Sequence, residues 1–377
     1  METVSLPKPP KGGLSAVFYS AALFVLGGYV LYIGQGVIIP MVIAVFLSFL
    51  IVTVKRQFER VPKIGHLLPE AVTFALAFGV IVLVLFILVA IVRNNVGIVA
   101  TAVPAYTERL SEIWQNINML EVDLPFMDDV SSSLDNIRSS ALGVVQGALT
   151  NLASAAGGFL GGLTTVVLYT AFMLLERGRF LKKIVTIAGP EGGARIVSGV
   201  LDDLGRLIRE YISVKTSTSL LTGAISWAIM FALGIDFAGF WALIIFALNY
   251  IPVIGSIIGV ILPTVLALVQ PGGGVTLFLL SAVLLTGAQQ LVGSFIEPRM
   301  MGKSLNLSPL VILLSLAAWG SLWGIAGMFL CVPMTVVLMI VLAQFESTRA
   351  VAVLLSDDGS ITSLAQSNAS DGAAHSA

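Results

Sequence analysis

The stretch FAGFWALIIFALNYIPVIGSIIGVILPTVLALVQPGGGVTLFLLSAVLLTGAQQLVGSFI, residues 237–296, runs for 60 residues without one Asp, Glu, Lys or Arg. A helix crossing the hydrocarbon core of a bilayer needs only about 20 residues, so this run holds more than one membrane segment. Two sets of helix breakers interrupt it, Asn249-Tyr250-Ile251-Pro252 and Pro271-Gly272-Gly273-Gly274. In lipid every peptide group must find a partner, and irregular backbone survives at membrane depth only where protein or water covers it. A broken apolar stretch of this kind predicts a wet, protein-lined path at the break, the arrangement used by transporters with discontinuous helices.

Composition points the same way. Hydrophobic residues make up 57% of the chain and charged residues 11%, against about 25% charged in ordinary globular proteins. The net charge of −1 lacks the basic excess of a nucleic-acid binder. One cysteine, Cys331, and two histidines, His66 and His375, exclude a disulfide framework and argue against a Cys/His zinc site. Cys331 reads as a small buried apolar residue. No phosphate-binding Gly-x-x-x-x-Gly-Lys-Ser/Thr loop is present, so ATP-driven transport within this chain is not expected. The membrane half supplies almost no His, Cys or carboxylate constellation, so neither an enzyme nor a cofactor is expected.

Uncharged runs place the spans. Gly12 to Val54 is 43 residues and breaks at Gly34-Gln35-Gly36, giving two spans and a tight turn. Ala71 to Val92 is the third span, Leu152 to Leu175 the fourth and Thr216 to Ile235 the fifth. Lys and Arg stay on the cytoplasmic side. Lys8 and Lys11 precede the first span; Lys55, Arg56, Arg60 and Lys63 follow the second; a basic segment from Arg177 to Lys215 follows the fourth. Residues 93–151 carry only Arg93, Arg109 and Arg138 against seven acids. These counts put the N-terminus inside and residues 93–151 outside. Tyr106, Leu110, Ile113, Trp114, Ile117 and Leu120 recur at helical spacing there, as do Leu134, Ile137, Leu142, Val145 and Leu149. On the inside Ile196, Val200, Leu204, Leu207 and Tyr211 form one apolar stripe. Gly157, Gly158, Gly161 and Gly162 mark close helix packing near span four.

Two apolar stretches of the second half are too long for one ordinary crossing. Ala238 to Gln270 is 33 residues, about 50 Å as a helix against a core of roughly 30 Å. Leu307 to Gln344 is 38 residues, about 57 Å by the same rise. The first has Asn249, Pro252 and Gly255 at its centre, the second Gly320, Gly324 and Gly327. If the first returned to the face it entered by, Glu297 to Lys303 would lie inside, where Arg299 and Lys303 are favoured. The expected fold is therefore an all-α polytopic membrane protein of about six full spans plus two long broken, re-entrant hairpins, conventionally counted as eight spans. It divides into spans one to three (1–92), an extracytoplasmic amphipathic helical segment (93–151), span four with a cytoplasmic amphipathic helix (152–215), a transport core with both hairpins (216–345), and a cytoplasmic tail (346–377), with disorder expected from Ser356 onward.

The residues 246–256, Phe-Ala-Leu-Asn-Tyr-Ile-Pro-Val-Ile-Gly-Ser, the segment from Ile296-Glu297-Pro298-Arg299-Met300-Met301-Gly302-Lys303 to Ser308-Pro309, and the stretch Trp319-Gly320 through Pro333 resemble the bacterial autoinducer-2 exporter family. The resemblance covers roughly residues 14–345. It implies a multi-pass protein of the bacterial inner membrane with both termini cytoplasmic. It also implies a homo-oligomer, with pentamers and an elevator-like motion described for the family, and export of a small polar solute such as autoinducer-2. Other members are described as sodium or lithium/proton antiporters, so the alternative on this fold is ion exchange with H+ or Na+; a membrane scaffold is the less favoured third reading.

Candidate path residues are Asn249, Tyr250, Pro252 and Gly255 at the first break, where Asn249 offers an amide and unwinding frees backbone carbonyls. Gln289 and Gln290 lie deeper on the next span. Asn306 and Ser308 form a polar lead-in to the second hairpin, which breaks at Gly320 and Gly324. Glu297, Arg299 and Asp236 are the candidate coupling groups, with Glu297 first and Arg299 its expected partner or an orientation anchor.

Overall fold

The computed structural model describes residues 14–59, 69–118, 147, 162–176, 178–179, 182–183, 186–187, 193–301, 306–345 and 348–359. The expectations for Lys8 and Lys11, for the stripe from Leu120 to Leu149, for Gly157, Gly158 and Gly161, for Lys303 and for residues 360–377 lie outside the described residues.

The chain is helical, and among the described residues the only pairing of extended backbone is an isolated bridge between Leu307 and Ser356. α1 (Leu14–Ile33) and α2 (Gln35–Glu59) meet at Gly34, where a Cβ would press on Val30 O at 2.9 Å, so the turn needs glycine. α3 runs unbroken from Glu70 to Asn118. Its 49 residues make a rod of about 74 Å, which carries the third span well beyond its apolar part, Glu70–Ile91. α4 (Gly162–Glu176) is the described part of the fourth span.

α5 (Gly193–Ala232) joins the expected cytoplasmic amphipathic helix and fifth span into one helix of 40 residues. The division expected at 215/216 falls inside it, because neither Gly nor Pro stands near Lys215 to end the helix. Among the described residues four helices are long and apolar enough to cross a membrane: α2, α3, the run Val275–Met301 and the run Pro309–Ala343.

Each long stretch of the second half folds back on itself. α6 (Ala238–Leu248) and α7 (Ile254–Val269) are antiparallel arms joined at residues 249–253. Their open ends are tied together. Gln270 accepts the backbone N–H of Asp236 at 2.9 Å and donates to Gly234 O at 2.9 Å. α8 (Val275–Gln290) then runs the other way, passes through a π-helical turn at Leu291–Ile296 and continues as α9 (Glu297–Met301). α10 (Pro309–Ala343) breaks at Gly324, whose φ of 60° and ψ of −137° suit only glycine. Trp319 Nε1 donates to Thr335 Oγ1 at 3.2 Å. Sixteen residues of straight helix would separate such a pair by about 24 Å, so the two arms lie side by side. Gly324 is the break; Gly320 and Gly327 instead let the arms approach. α11 (Arg349–Leu355) closes the described chain, and Ser308 N donates to Leu355 O at 3.2 Å, which brings both ends of the second hairpin to one place.

Among the described residues three apolar clusters hold these pieces. Met230, Phe240, Ile245, Leu266, Ala267 and Leu285 bind the C-terminal part of α5 to α6, α7 and α8. Leu207, Ile208 and Tyr211 of α5 pack against Cys331, Val336 and Ile340 of α10. Ile51, Ala77 and Ile81 join α2 to α3. Cys331 is fully buried, as expected of a small apolar residue.

Candidate functional site

The first break is a compact turn. Asn249 caps α6, and Val253 starts α7 with φ 61° and ψ −60°, with Ile254 N bonded to Pro252 O at 2.6 Å. That is a γ-turn in its rare, strained positive-φ form. Gly255 is obligatory, because a Cβ there would run into the Leu248 carbonyl. Four carbonyls at the break accept backbone bonds, Ala247 O from Tyr250, Leu248 O from Ile251, Ile251 O from Gly255 and Pro252 O from Ile254, while among the described residues the Asn249 and Tyr250 carbonyls accept none. The polar surface at the break therefore combines the Asn249 and Tyr250 carbonyls with the side chains beside them.

Those side chains are held by α5. The buried Asn249 amide donates to Ser219 Oγ at 3.0 Å, and the Tyr250 hydroxyl shares a 2.7 Å bond with Thr216 Oγ1. Gly223 lets α6 come this close: a Cβ there would meet Ala242 O at 3.1 Å and Phe246 Cβ at 3.3 Å. A turn further toward the start of α5, Lys215 Nζ donates to Glu297 Oε1 at 2.7 Å and Thr218 Oγ1 to Oε2 at 3.3 Å. The side chains of the pair are 9% and 18% exposed. Glu297 is thus neutralised by Lys215, not by Arg299, which stands exposed on α9.

The tips of the two hairpins meet. Tyr250 stacks on Phe329, ring centres 4.6 Å apart and planes 21° from parallel, with Phe246 edge-on to Tyr250. Phe329 follows the Gly324 break by five residues, beside Gly327, whose absent Cβ makes room for the Trp319 carbonyl. Gly320 faces Met328, where a Cβ would come within 3.0 Å of its Cγ. Gln289 is buried over Gly259 of α7, whose missing Cβ would stand 3.5 Å from Gln289 Nε2.

The remaining expected site residues lie elsewhere. Gln290 is exposed and accepts from Ser294 Oγ at 2.8 Å, because one residue step along α8 turns it about 100° away from the buried Gln289. Asn306 donates to Asp358 at 2.8 Å and its carbonyl accepts from Asp357 N at 3.2 Å, so it clasps the segment after α11. Ser356 to Asp358, expected to begin a disordered tail, are held in that clasp. Ser308 stands at the N-cap of α10 without a side-chain cap bond. Asp236 lies at the open end of the first hairpin, where Tyr106 of α3 donates to it at 3.1 Å. Burial first, and then the neighbouring carboxylate, hold the Tyr106 phenol well above its ordinary value, so it stays a donor.

Matched against known sequences, residues 21–347 fit the description AI-2E family transporter. The chain belongs to this family. AI-2 transport protein TqsA of Escherichia coli strain K12 is 30% identical over 85% of this chain and 90% of its own length. A provisionally named transport protein of Haemophilus influenzae is 29% identical, covering 90% of this chain and 94% of its own. YhhT of Escherichia coli, also a transport protein by provisional name, is 30% identical over 94% and 97%. Of these three names, TqsA's states a cargo, AI-2. The resemblance carried by residues 246–256 and 296–309 is confirmed as family membership, and this AI-2E family chain is a multi-pass membrane protein of a transporter family.

In this family member, sequence reasoning missed the contribution of α5: Lys215, Thr216, Thr218 and Ser219 each grip an anticipated site residue. The signal was present as Lys-Thr-Ser-Thr-Ser at 215–219, four hydroxyls opening a membrane segment. Gln270, a lone amide ending an apolar run, was the other missed residue.

Proposed function

We propose that this chain carries a small polar solute, a signal of the autoinducer-2 kind or a related metabolite, outward across the bacterial inner membrane. Both termini are then cytoplasmic, and residues 238–270 and 309–343 are re-entrant hairpins opening to opposite sides. The observation that carries this reading is the stacking of Tyr250 on Phe329, which sets the two tips together beside Asn249, Ser219 and Thr216. Paired broken helices that meet inside the membrane are the arrangement around which transporters alternate access. The solute-facing chemistry is neutral: an amide, two hydroxyls and a phenol. An elevator-like shift of the hairpins against α2 and α3, in a homo-oligomer, is the assigned motion. The test is efflux of a labelled solute panel from vesicles containing the purified chain. Efflux of a hydroxylated solute, lost in Asn249→Ala that still reaches the membrane, is the expected result. A pH response to sodium with no solute moved would replace this reading by sodium/proton exchange.

A further inference from the structure

α5 carries a buried polar stripe that the anticipated site residues account for only at Lys215 and Thr218, through Glu297. Tyr211, Lys215, Thr218, Thr222 and Ser226 follow each other at steps of three or four residues, which places them on one face. All five are buried, at 6%, 7%, 0%, 1% and 0% exposure. The stripe covers fifteen residue steps, about 22 Å of helix, or most of a hydrocarbon core of roughly 30 Å. A face packed only for helix association would have its hydroxyls satisfied, and in the middle they are: Thr222 donates to Thr218 O at 2.8 Å, and Thr218 reaches Lys215 O and Glu297. At both ends they are not. Among the described residues the buried Tyr211 hydroxyl and the buried Ser226 hydroxyl have no hydrogen-bond partner, nor does the indole N–H of Trp241.

Trp241 is the independent observation, because it sits on a different helix at the matching height. Thr216 meets Tyr250, Ser219 meets Asn249 and Gly223 meets Ala242 and Phe246. Each step along α5 is therefore matched by one step back along α6, and Ser226 comes level with Trp241. An indole N–H can only donate, and leaving it dry and unpaired costs about 1–3 kcal/mol. A buried donor and a buried hydroxyl, both orphaned near one height of two touching helices, call for a guest with an acceptor oxygen.

We propose that the α5 stripe is the track along which the solute passes the hairpin tips, with a station at Tyr211 on one side and a station at Ser226 and Trp241 on the other. Both stations take a neutral molecule bearing hydroxyl or carbonyl oxygens, and water fills them when it is absent. The inference deepens the proposed function and rests on it for the solute, but not for the water. Hydroxyl-radical footprinting in labelled water tests the second point on the intact wild-type chain. Normalised to intrinsic side-chain reactivity, Tyr211 and Trp241 should be oxidised severalfold faster than the similarly buried Phe240 and Trp323, because internal water yields the radical beside them. Oxidation of both at the rate of those controls would overturn the track even if the chain transports. The solute arm uses Ser226→Ala and Trp241→Phe in vesicle efflux, where KM should rise roughly three- to tenfold, the loss of one hydrogen bond, with the chain still folded and footprinted at Tyr211. An unchanged KM in both variants would overturn the solute station. Wet stations in a chain that moves no member of the panel would instead count against the proposed function.

Discussion

Lys215 and Glu297 show how strongly one residue's environment depends on a partner far away in sequence. With the pair mostly buried, removing one charge strands the other. Lys215→Met should destabilise the protein by about 3–5 kcal/mol, while Lys215→Met with Glu297→Gln together should recover most of that loss. Thermal denaturation in detergent measures both, and a double variant no better than the single would show that the pair is not the reason. If Glu297 carries a coupling proton, Glu297→Gln should also flatten any pH dependence of efflux. Gly255 is constrained in a different way. Gly255→Ala drives a methyl into the Leu248 carbonyl, so efflux should collapse and stability fall by roughly 1–3 kcal/mol. Gly239→Ala, where a Cβ meets nothing within 4 Å, should leave both unchanged. Glu297 was legible as a special residue from its place at the end of a charge-free run. Its partner was not, because 82 residues separate the two and an adjacent Arg299 offered the simpler pairing.

Among the elements, the turn at Pro252–Ile254 stores strain in an exposed β-branched residue. A positive-φ valine costs about 1–3 kcal/mol and glycine's flexibility about 0.5–1 kcal/mol, so Val253→Gly should raise thermal stability by roughly 1 kcal/mol. A fall would mean that the turn is not strained as described. At the opposite end of that hairpin the Tyr106–Asp236 bond is set by a phenol whose value is raised. Its contribution is fully present below the unfolded value near 10 and fades only as pH climbs through the higher folded value. Between about pH 6 and 9 the stability gap between wild type and Tyr106→Phe, roughly 0.5–1.5 kcal/mol, should be constant. A gap that varies with pH in that window would contradict the assignment. Both broken stretches could be read in advance, since length and helix breakers alone forbid a straight rod there. The continuity of α5 could not, because the hydroxyl run at 216–219 lowers hydropathy where a span was expected to begin. The reach of α3 was hidden for a related reason: a helix does not stop where its apolar part stops.

For the whole molecule, the surface and the interior trade the usual roles. Val253, Ile257, Ile261 and Val265 line up every fourth residue along α7, all exposed, as a lipid-facing row would be, while the stripe of α5 is polar and enclosed. Two broken stretches of inverted form lead to the expectation that their breaks meet, but no pattern in the chain pairs Tyr250 with Phe329. The central claim is that residues 238–270 leave by the face they enter. Side-specific thiol labelling in sealed vesicles tests it, using Gly239→Cys, Val275→Cys and Arg299→Cys, each in a Cys331→Ala chain. The account predicts that positions 239 and 275 react from one side of the membrane and position 299 only from the other; labelling of 239 and 275 from opposite sides would contradict it.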